Sequence, residues 1–285
     1  MISVIIPMYN REKTIIDAIK SVLNQSYSDF EVIVVDDGST DNSANIVKNI
    51  NDNRVKYYYQ ENAGACAARN YGIELAEGEF IAFHDSDDIW HEDKLEKQLN
   101  VFKNNNVDIV FCKLKKIKDG NVLGYKPEQM KEGFLNPVVN LFGIGTQTLV
   151  AKREVFKKFK FDEKLPKYQE FEYLYRVTKE HSIYCLDEAL VDYIISSDSI
   201  SYNHSKTYKA SQIIIDKHPE ISKKYPIMAQ SMSHNLISEA NEIKKDNKDE
   251  FFSFLKLAFK ISNNWKILIK IILSIFNCYY VFFDK

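Results

Sequence analysis

The chain has 285 residues, 45% of them apolar, with 9 Gly and 6 Pro, and its 38 basic and 40 acidic side chains give a formal net charge of −2. This composition excludes a collagen-like, low-complexity or disulfide-stapled chain, and the near-balanced charge argues against a general nucleic-acid binder. The total hides a split, because residues 1–111 carry 10 basic and 19 acidic groups whereas residues 112–285 carry 28 and 21. The acidic and the basic part therefore need separate explanations.

Residues 2–114 alternate between short apolar runs and amphipathic stretches. The apolar runs predict strands over 2–8, 30–35, 55–59, 80–83 and 107–114, and helical spacing is found over about 15–25, 41–50, 65–76 and 92–102. Continuous apolar strands that alternate with helices are typical of βαβ units. The sequence thus predicts an α/β fold with a mainly parallel, Rossmann-like sheet flanked by helices.

The next part of the chain has a weaker pattern. Residues 115–145 are charged and interpreted as loop, and 147–151 as a strand followed by a short helix. Helical spacing returns over 171–177, and 182–186 and 190–195 are interpreted as two strands. No repeat or linker divides this region, so residues 1–205 are predicted to form one catalytic unit with halves 1–114 and 115–205. Residues 206–285 are predicted to form a helical C-terminal region.

Cysteine spacing and the N-terminus bear on the compartment. Gaps of 46, 73 and 93 residues between the four cysteines fit neither a metal site nor a redox motif. We expect buried, reduced thiols. The first ten residues show no basic region and no small-residue cleavage site, so we expect no signal peptide and a cytoplasmic protein.

Acidic residues follow two of the predicted strands directly. Asp36-Asp37-Gly38-Ser39 comes after the second strand, and His84-Asp85-Ser86-Asp87-Asp88 comes after the fourth. In open parallel sheets the ligand binds at the carboxyl ends of the strands, where these loops meet. Clustered carboxylates suit Mg²⁺ or Mn²⁺ bound together with phosphate oxygens, whereas either loop alone is equally well explained as a turn or helix cap. The sequence favours a metal–diphosphate site.

Two common nucleotide-binding motifs are missing. No GxGxxG follows the first strand, and GxxxxGK[ST] occurs nowhere. We therefore expect the phosphates to be held through a metal ion and not on a glycine-rich helix N-terminus.

Four ordered blocks carry a family resemblance: VIIPMYN, VIVVDDGSTD, ENAGACAARNYGIELAEGEFIAFHDSDD and FDEKLPKYQEFEYLYRV. Together they resemble the family-2 glycosyltransferases of the bacterial surface-polysaccharide type, which are inverting enzymes with the GT-A fold. The resemblance covers roughly residues 1–205. It implies a nucleotide-diphosphate sugar donor, a UDP-sugar above all, bound by 1–114, and an acceptor bound by 115–205.

The resemblance also implies residue roles on the donor side. Pro7, Tyr9 and Asn10 would line the nucleoside pocket, Asp37 or Asp36 would accept hydrogen bonds from the base or ribose, and Asn62 and Arg69 would close over the uracil and phosphates. Asp85, Ser86 and Asp87 match the DxD triplet. Asp85, Asp87 and Asp88 are the candidate ligands of Mn²⁺ or Mg²⁺, with Asp87 or its neighbour Asp88 favoured as the direct one.

The family usually places its catalytic base at a Glu-Asp or Gln-Asp pair ahead of a helix that ends in Arg. The matching pair here is Gln169-Glu170, six residues before Arg176. Glu170 is therefore the expected base, and Glu172 is the competing candidate. The longer Glu side chain departs from the family pattern, and catalytic geometry is sensitive to shifts of about 1 Å.

Processive members of the family carry a QxxRW motif, but neither Trp90 nor Trp265 follows an Arg. We expect a non-processive enzyme that moves one hexosyl or N-acetylhexosaminyl group to a hydroxyl of a lipid-linked or growing surface glycan. A sugar nucleotidyltransferase is the alternative enzyme, although PMYNREK lacks the glycines that a triphosphate loop needs. A non-catalytic, membrane-bound scaffold that binds sugar nucleotides is the alternative without turnover.

The C-terminal tail explains part of the basic excess. Residues 251–283 are strongly apolar, yet plotted as a single helix they place Lys256, Lys260, Lys266 and Lys270 in one arc. Such a helix fits the surface of an anionic membrane, whereas the run of 13 residues after Lys270 is too short to span a bilayer. We expect peripheral attachment to the inner face of the cell membrane. Packing on the catalytic domain, or on a second subunit in a homodimer, is the alternative.

Overall fold

A computed structural model of the chain describes residues 1–128, 130–135, 141–195, 204–244 and 247–275. The chain divides into two compact units. The first, here called the catalytic unit, comprises Met1–Pro137, Gly143–Lys164 and Gln169–Ser199; the second, the helical unit, comprises Val138–Phe142, Leu165–Tyr168 and Ile200–Lys285. Two short segments before residue 205 also belong to the helical unit. The boundary at residue 205 remains a prediction.

In the described part of the catalytic unit, ten strands form one sheet. They are β1 (Ile2–Met8), β2 (Phe30–Asp37), β3 (Val55–Gln60), β4 (Phe80–Phe83), β5 (Ile89–Trp90), β6 (Ile109–Lys118), β7 (Asn121–Lys126), β8 (Gly133–Phe134), β9 (Leu149–Lys152) and β10 (Ile183–Ile194). The strand order is β3-β2-β1-β4-β9-β6-β10-β5, with β7 paired to β6 and β8 to β10. Within that order only β9 and β5 run against the others, which confirms the predicted mainly parallel sheet.

Helices cover both faces of the sheet, so its central strands are buried throughout; all seven residues of β1 are buried. The helices of this unit are α1 (Ile15–Leu23), α2 (Ser43–Lys48), α3 (Ala65–Leu75), α4 (Lys94–Asn104), α5 (Arg153–Lys158) and α6 (Gln169–Val177). Gly72 lets α3 lie close to β1, because a Cβ atom there would come within 2.4 Å of Ile5 Cγ2. Cys66, Cys112 and Cys185 are buried free thiols, as expected, and Cys278 lies outside the described residues.

Two predictions about the second half of this unit were wrong. Part of the expected loop 115–145 is a hairpin of β6 and β7, joined by Asp119-Gly120 with φ of 50° and 77°. Positive φ at both positions defines a type I′ turn, for which Asp-Gly is a preferred sequence. The two strands expected at 182–186 and 190–195 are a single strand, β10, interrupted by bulges between Leu186 and Val191.

The described residues of the helical unit form α7 (His204–Lys217), α8 (Ile221–Lys224), α9 (Pro226–Ile243), α10 (Lys248–Ser262) and α11 (Trp265–Ile275). The single tail helix was a wrong prediction, because Asn263 adopts a left-handed conformation with φ of 49° that ends α10. α10 packs against α9 and buries an apolar face, with Phe254 and Ile261 each at most 1% exposed.

Residues 276–285 of the predicted amphipathic tail lie outside the described residues. No helix in the part that is described has the length and apolar content to cross a membrane.

Candidate active site

The last two residues of β2, Asp36 and Asp37, hold their carboxylates in a dense set of hydrogen bonds. Asp36, 1% exposed, accepts from the Ser39 amide at 2.8 Å and from the Tyr57 hydroxyl at 2.6 Å. Burial, followed by this contact, raises the pKa of the Tyr57 hydroxyl well above its usual value. The sequence prediction did not include Tyr57, which lies on the neighbouring strand β3.

Asp37 fastens the loop that follows β3. Its Oδ1 atom accepts from the Ala63 amide at 2.8 Å and from the Gln60 side chain at 2.7 Å, and its Oδ2 atom accepts from the Gly64 amide at 2.9 Å. Asn62, predicted at the nucleotide, donates to the Asp37 carbonyl at 2.8 Å. The structure thus brings Asp36, Asp37 and Asn62 together, as polar groups that shape one corner of the sheet edge.

Pro7, Tyr9 and Asn10 lie at the end of β1, beside that corner. Pro7 pairs with Val35 within the sheet, and Tyr9 is 44% exposed. Asn10 has a φ of 50°, and its Oδ1 atom accepts from the Thr40 amide at 2.8 Å. A half-exposed aromatic ring next to a buried polar corner is a surface on which a nucleobase can stack.

After β4 and His84 come residues 85–88, here called the DSDD loop, and two of its carboxylates face arginines. Arg69 on α3 is 6% exposed and places Nη2 2.8 Å from Asp85 Oδ1, while its Nη1 atom is 3.4 Å from Gln169 Oε1 on α6. Arg11 places Nη2 3.3 Å from Asp87 Oδ2. The Nε atoms of both arginines are buried and have no hydrogen-bond partner among the described residues. The two guanidinium groups therefore retain donors for an anionic ligand.

Asp88 differs from its neighbours because both of its carboxylate oxygens are occupied. Gln147 donates to Oδ2 at 3.0 Å, the Ile194 amide donates to Oδ1 at 3.1 Å, and the side chain is fully buried. Ser86 is also buried, at 6% exposure. These contacts attach the DSDD loop to β10, and they favour Asp87 over Asp88 as a direct metal ligand.

Mutual repulsion is not fully relieved in the DSDD loop. Burial, followed by the Asp85 carboxylate, raises the pKa of Asp87, and burial together with Asp85 and Asp87 raises that of Asp88 well above its usual value. Two neighbouring carboxylates with hard oxygen ligands are the donor set that Mg²⁺ and Mn²⁺ take, usually with phosphate oxygens completing the shell. Asp85 and Asp87 therefore fit the divalent cation that the sequence predicts.

Aromatic and cationic side chains support the DSDD loop from beneath. The His84 ring lies 4.5 Å from the Trp90 ring, and burial lowers the pKa of His84 to about 3. Lys94 is fully buried with Nζ 3.7 Å from the Trp90 ring centre and 2.7 Å from Gln98 Oε1, and burial lowers its pKa to about 8. Neither group faces the arginines, so this layer is structural support.

The two candidates for the catalytic base have different surroundings. Glu172 is 1% exposed and forms a two-point ion pair with Arg176, with distances of 2.8 Å and 2.9 Å. Glu170 lies in the first turn of α6, is partly exposed, and directly follows Gln169, which contacts Arg69. The arrangement favours Glu170, because a carboxylate engaged by a guanidinium in two hydrogen bonds is a poor proton acceptor.

Sequence reasoning missed Arg11 and Gln147. Arg11 directly follows the block VIIPMYN, so its position after a strand end was a usable signal. Gln147 lies 59 residues from Asp88 in the chain, and the pairing became visible only in the fold.

Acidic and basic side chains thus gather at the carboxyl ends of the strands of an open α/β sheet, the edge at which proteins of this class bind their ligands. The family model described as "Glycosyl transferase family 2" matches residues 3–177. This match spans more than half of the 285 residues, and the chain belongs to that family.

Named relatives share most of the chain. The UDP-Glc:alpha-D-GlcNAc-diphosphoundecaprenol beta-1,3-glucosyltransferase WfgD of Escherichia coli is 35% identical over 213 residues, which cover 73% of this chain and 83% of the relative. The putative teichuronic acid biosynthesis glycosyltransferase TuaG of Bacillus subtilis is 33% identical over 223 residues, covering 75% and 86%.

A solved structure shares the fold. Residues 1–349 of TarS from S. aureus, crystallised in complex with UDP-GlcNAc, superpose with a TM-score of 0.73 at 20% identity, covering 98% of this chain and 89% of that one. This likeness supports the GT-A-like architecture predicted from the sequence.

Proposed function

We propose that this glycosyltransferase moves one sugar, with inversion, from a UDP-sugar to a hydroxyl of a lipid-linked or growing surface glycan. One observation carries the proposal: the Asp85–Arg69–Gln169 chain of contacts links the DSDD loop to the first turn of α6. It brings the candidate diphosphate site and the candidate base together at one edge of the sheet. The names of WfgD and TuaG, which concern a UDP-glucose donor and glycan biosynthesis, support this choice of donor and acceptor.

The donor would bind along the edge from β2 to the DSDD loop. The exposed ring of Tyr9 and the polar corner at Asp37 and Asn62 suit a nucleoside, and the spare guanidinium donors of Arg11 and Arg69 suit the diphosphate. Asp85 and Asp87 would hold Mn²⁺ or Mg²⁺. Such an ion supplies charge neutralisation to the leaving diphosphate.

Glu170 would act on the acceptor. Its carboxylate takes the proton of the attacking hydroxyl as that oxygen bonds to the anomeric carbon, and the bond from this carbon to the diphosphate oxygen breaks on the opposite side. Attack opposite the leaving group inverts the anomeric centre. Lacking a QxxRW motif, the chain would add a single sugar for each encounter.

The helical unit would provide peripheral attachment to the inner face of the cell membrane. On α11 the residues Trp265, Leu268, Ile269 and Ile272 are 36–63% exposed, whereas Ile267 and Ile271 are buried. An apolar face of this kind next to Lys266 fits an anionic lipid surface. Ile272→Glu should reduce sedimentation with anionic liposomes, whereas exposed Ile227→Glu on α9 should not; equal partitioning of both variants and the native chain would refute attachment through α11.

Turnover by the purified chain tests the catalytic proposal. We expect UDP release from a UDP-sugar that requires Mn²⁺ or Mg²⁺ and an added glycan acceptor. Glu170→Gln should lose about 10³-fold in transfer rate or more, yet retain donor affinity in calorimetry, because the amide cannot accept the proton. Glu154→Gln, at an exposed position on α5, is the matched control. Near-native turnover by Glu170→Gln, or full activity in excess EDTA, would contradict the mechanism.

A further inference from the structure

A second cleft lies in the catalytic unit, apart from the residues assigned to the donor. It has a volume of about 420 Å³ and is lined by Lys113, Gly124, Tyr125, Glu128, Asp187 and Ala189. This volume lies within the range of roughly 300–1,000 Å³ that small-molecule sites occupy. None of the lining residues has a part in the mechanism proposed above.

The cleft is formed by a bulge in β10. Leu186 pairs with Cys112 and Ala189 pairs with Lys113, so Asp187 and Glu188 have no partner on β6. Asp187 forms an ion pair with Lys113. Bulges of this type redirect side chains and are frequent beside active sites. Here the bulge brings the Asp187 carboxylate to the cleft. The regular alternation of side chains along a strand would not place it there.

Two small residues keep the cleft open. Ala189 contributes only a methyl group, and a Cβ atom added to Gly124 would meet no atom within 4 Å. Tyr125, the residue after Gly124, pairs across the hairpin with Lys115 and is 49% exposed. The cleft therefore has one aromatic wall, with charged groups along its other sides.

Sheet register relates this cleft to the DSDD loop. Ile81 on β4 pairs with Ala151 on β9, which pairs with Ile109 on β6. β4 and β6 are therefore parallel, and Lys113 lies four residues beyond Ile109, towards the same carboxyl-end edge of the sheet at which the DSDD loop follows β4. β6 is two strands away from β4, or roughly 10 Å across the sheet.

The lining selects among ligand classes by its charge. Asp187 and Glu128 contribute two carboxylates against the single ammonium of Lys113, which is already engaged by Asp187. Because this ammonium is already paired, the described lining residues offer no free cation to a phosphate. Sugar hydroxyls, by contrast, donate to carboxylates and accept from an ammonium, and the apolar face of a pyranose ring packs on a tyrosine.

We propose that this cleft binds an uncharged sugar of the acceptor glycan. The inference rests on the proposed transferase function and names a binding surface for its acceptor. It assigns Tyr125 as the stacking platform and the Asp187–Lys113 pair as the hydroxyl-binding group.

Variants on β7 and β10, the two strands that flank β6 at the cleft, test the proposal. Tyr125→Ala removes the platform and Ala189→Leu fills the cleft, whereas Leu123→Ala alters an equally exposed side chain of β7 that does not line the cleft. The probes are a panel of uncharged di- and trisaccharide alkyl glycosides based on hexoses and N-acetylhexosamines. Binding is measured by saturation-transfer NMR, and acceptor KM by UDP release, with thermal unfolding as the check on folding.

We expect Tyr125→Ala and Ala189→Leu to weaken glycoside binding and raise acceptor KM about tenfold, with donor KM unchanged and Leu123→Ala near native. Sugar 1-phosphates should not compete. Binding by no glycoside, competition by a sugar 1-phosphate, or equal behaviour of all three variants would overturn the proposal. Because NMR needs no turnover, cleft-dependent glycoside binding without transfer would count against the transferase function alone, and transfer with an unchanged acceptor KM would count against the cleft alone.

Discussion

The end of β2 and the loop after β4 both present Asp-rich sequences at the same edge of the sheet, but their carboxylates have different surroundings. At the end of β2, amides, a hydroxyl and a side-chain amide donate to the oxygens of Asp36 and Asp37. In the DSDD loop, Asp85 and Asp87 face arginine side chains and each other. Donors of the protein itself satisfy the carboxylates at the end of β2. The carboxylates of the DSDD loop still repel each other and require further positive charge.

This difference separates carboxylates that build the site from carboxylates that bind a ligand. Hydrogen bonds from fixed donors stabilise an ionised carboxylate within the fold itself. The raised pKa of Asp87 shows the opposite balance, in which burial and the Asp85 charge outweigh the contribution of Arg11. Mutation of each kind of carboxylate should therefore affect different measurable quantities.

The largest effect is expected in the DSDD loop. Asp87→Asn should lower cation-dependent transfer by about 10³-fold, because a ligand charge is lost from the diphosphate site. The folded state raises the pKa of Asp87, so the ionised side chain costs stability above that pKa; at neutral pH the variant should be at least as stable as the native chain.

Two measurements check this prediction: UDP release against Mn²⁺ concentration, and urea unfolding at pH 7. Asp36→Asn is the matched control, expected to keep its Mn²⁺ dependence. The distinction between the two kinds of carboxylate would fail if Asp87→Asn kept native activity, or if it lost activity by unfolding.

A smaller effect on stability is expected at the end of β2. Asp37→Asn turns an amide NH₂ toward amides that now donate to a carboxylate, so at least one of these donors loses its acceptor. We expect the free energy of unfolding to fall by about 2–3 kcal/mol, with weaker donor binding as a consequence of the displaced 60–64 loop. Urea unfolding gives the first quantity and calorimetry with UDP the second. Native stability in this variant would show that these bonds do not hold the loop.

The sequence was sufficient for the parts of the fold whose cause is local. The apolar runs over 2–8 and 30–35 predicted β1 and β2, and the strand order predicted that the carboxyl ends of β2 and β4 lie at one edge of the sheet. The four family blocks also identified the family to which the chain belongs. These features depend on periodicity and on strand ends, which a sequence displays directly.

Other features depend on contacts between distant residues. Occupation of both Asp88 oxygens by Gln147 and Ile194 required β10 to lie beside β5, and no local pattern indicates that pairing. The bulge at Asp187 has no sequence signature of its own. The β6–β7 hairpin, in contrast, was predictable from Asp119-Gly120, and the dense lysines around that turn obscured the signal.

The smallest expected effect concerns Lys94, in the layer beneath the DSDD loop. Burial lowers the pKa of this lysine from 10.5 to about 8, so between these two values the folded state binds fewer protons than the unfolded chain. Stability linked to Lys94 should therefore rise as the pH increases through 8 towards 10.5, and its full cost is present below pH 8. Lys94→Met lacks this pH-dependent contribution to the unfolding free energy. The variant also leaves Gln98 Oε1 without its donor at every pH.

The difference in unfolding free energy between Lys94→Met and the native chain should consequently change by about 1 kcal/mol from pH 7 to pH 9, in favour of the native chain. Chemical denaturation at both pH values measures it, and the constant contribution of Gln98 cancels in the comparison. Exposed Lys103→Met on the same helix should show no such change. If the unfolding free energies of Lys94→Met and of the native chain changed in parallel with pH, the ammonium of Lys94 would be solvated. The layer beneath the DSDD loop would then be less closely packed than the layer around Asp37.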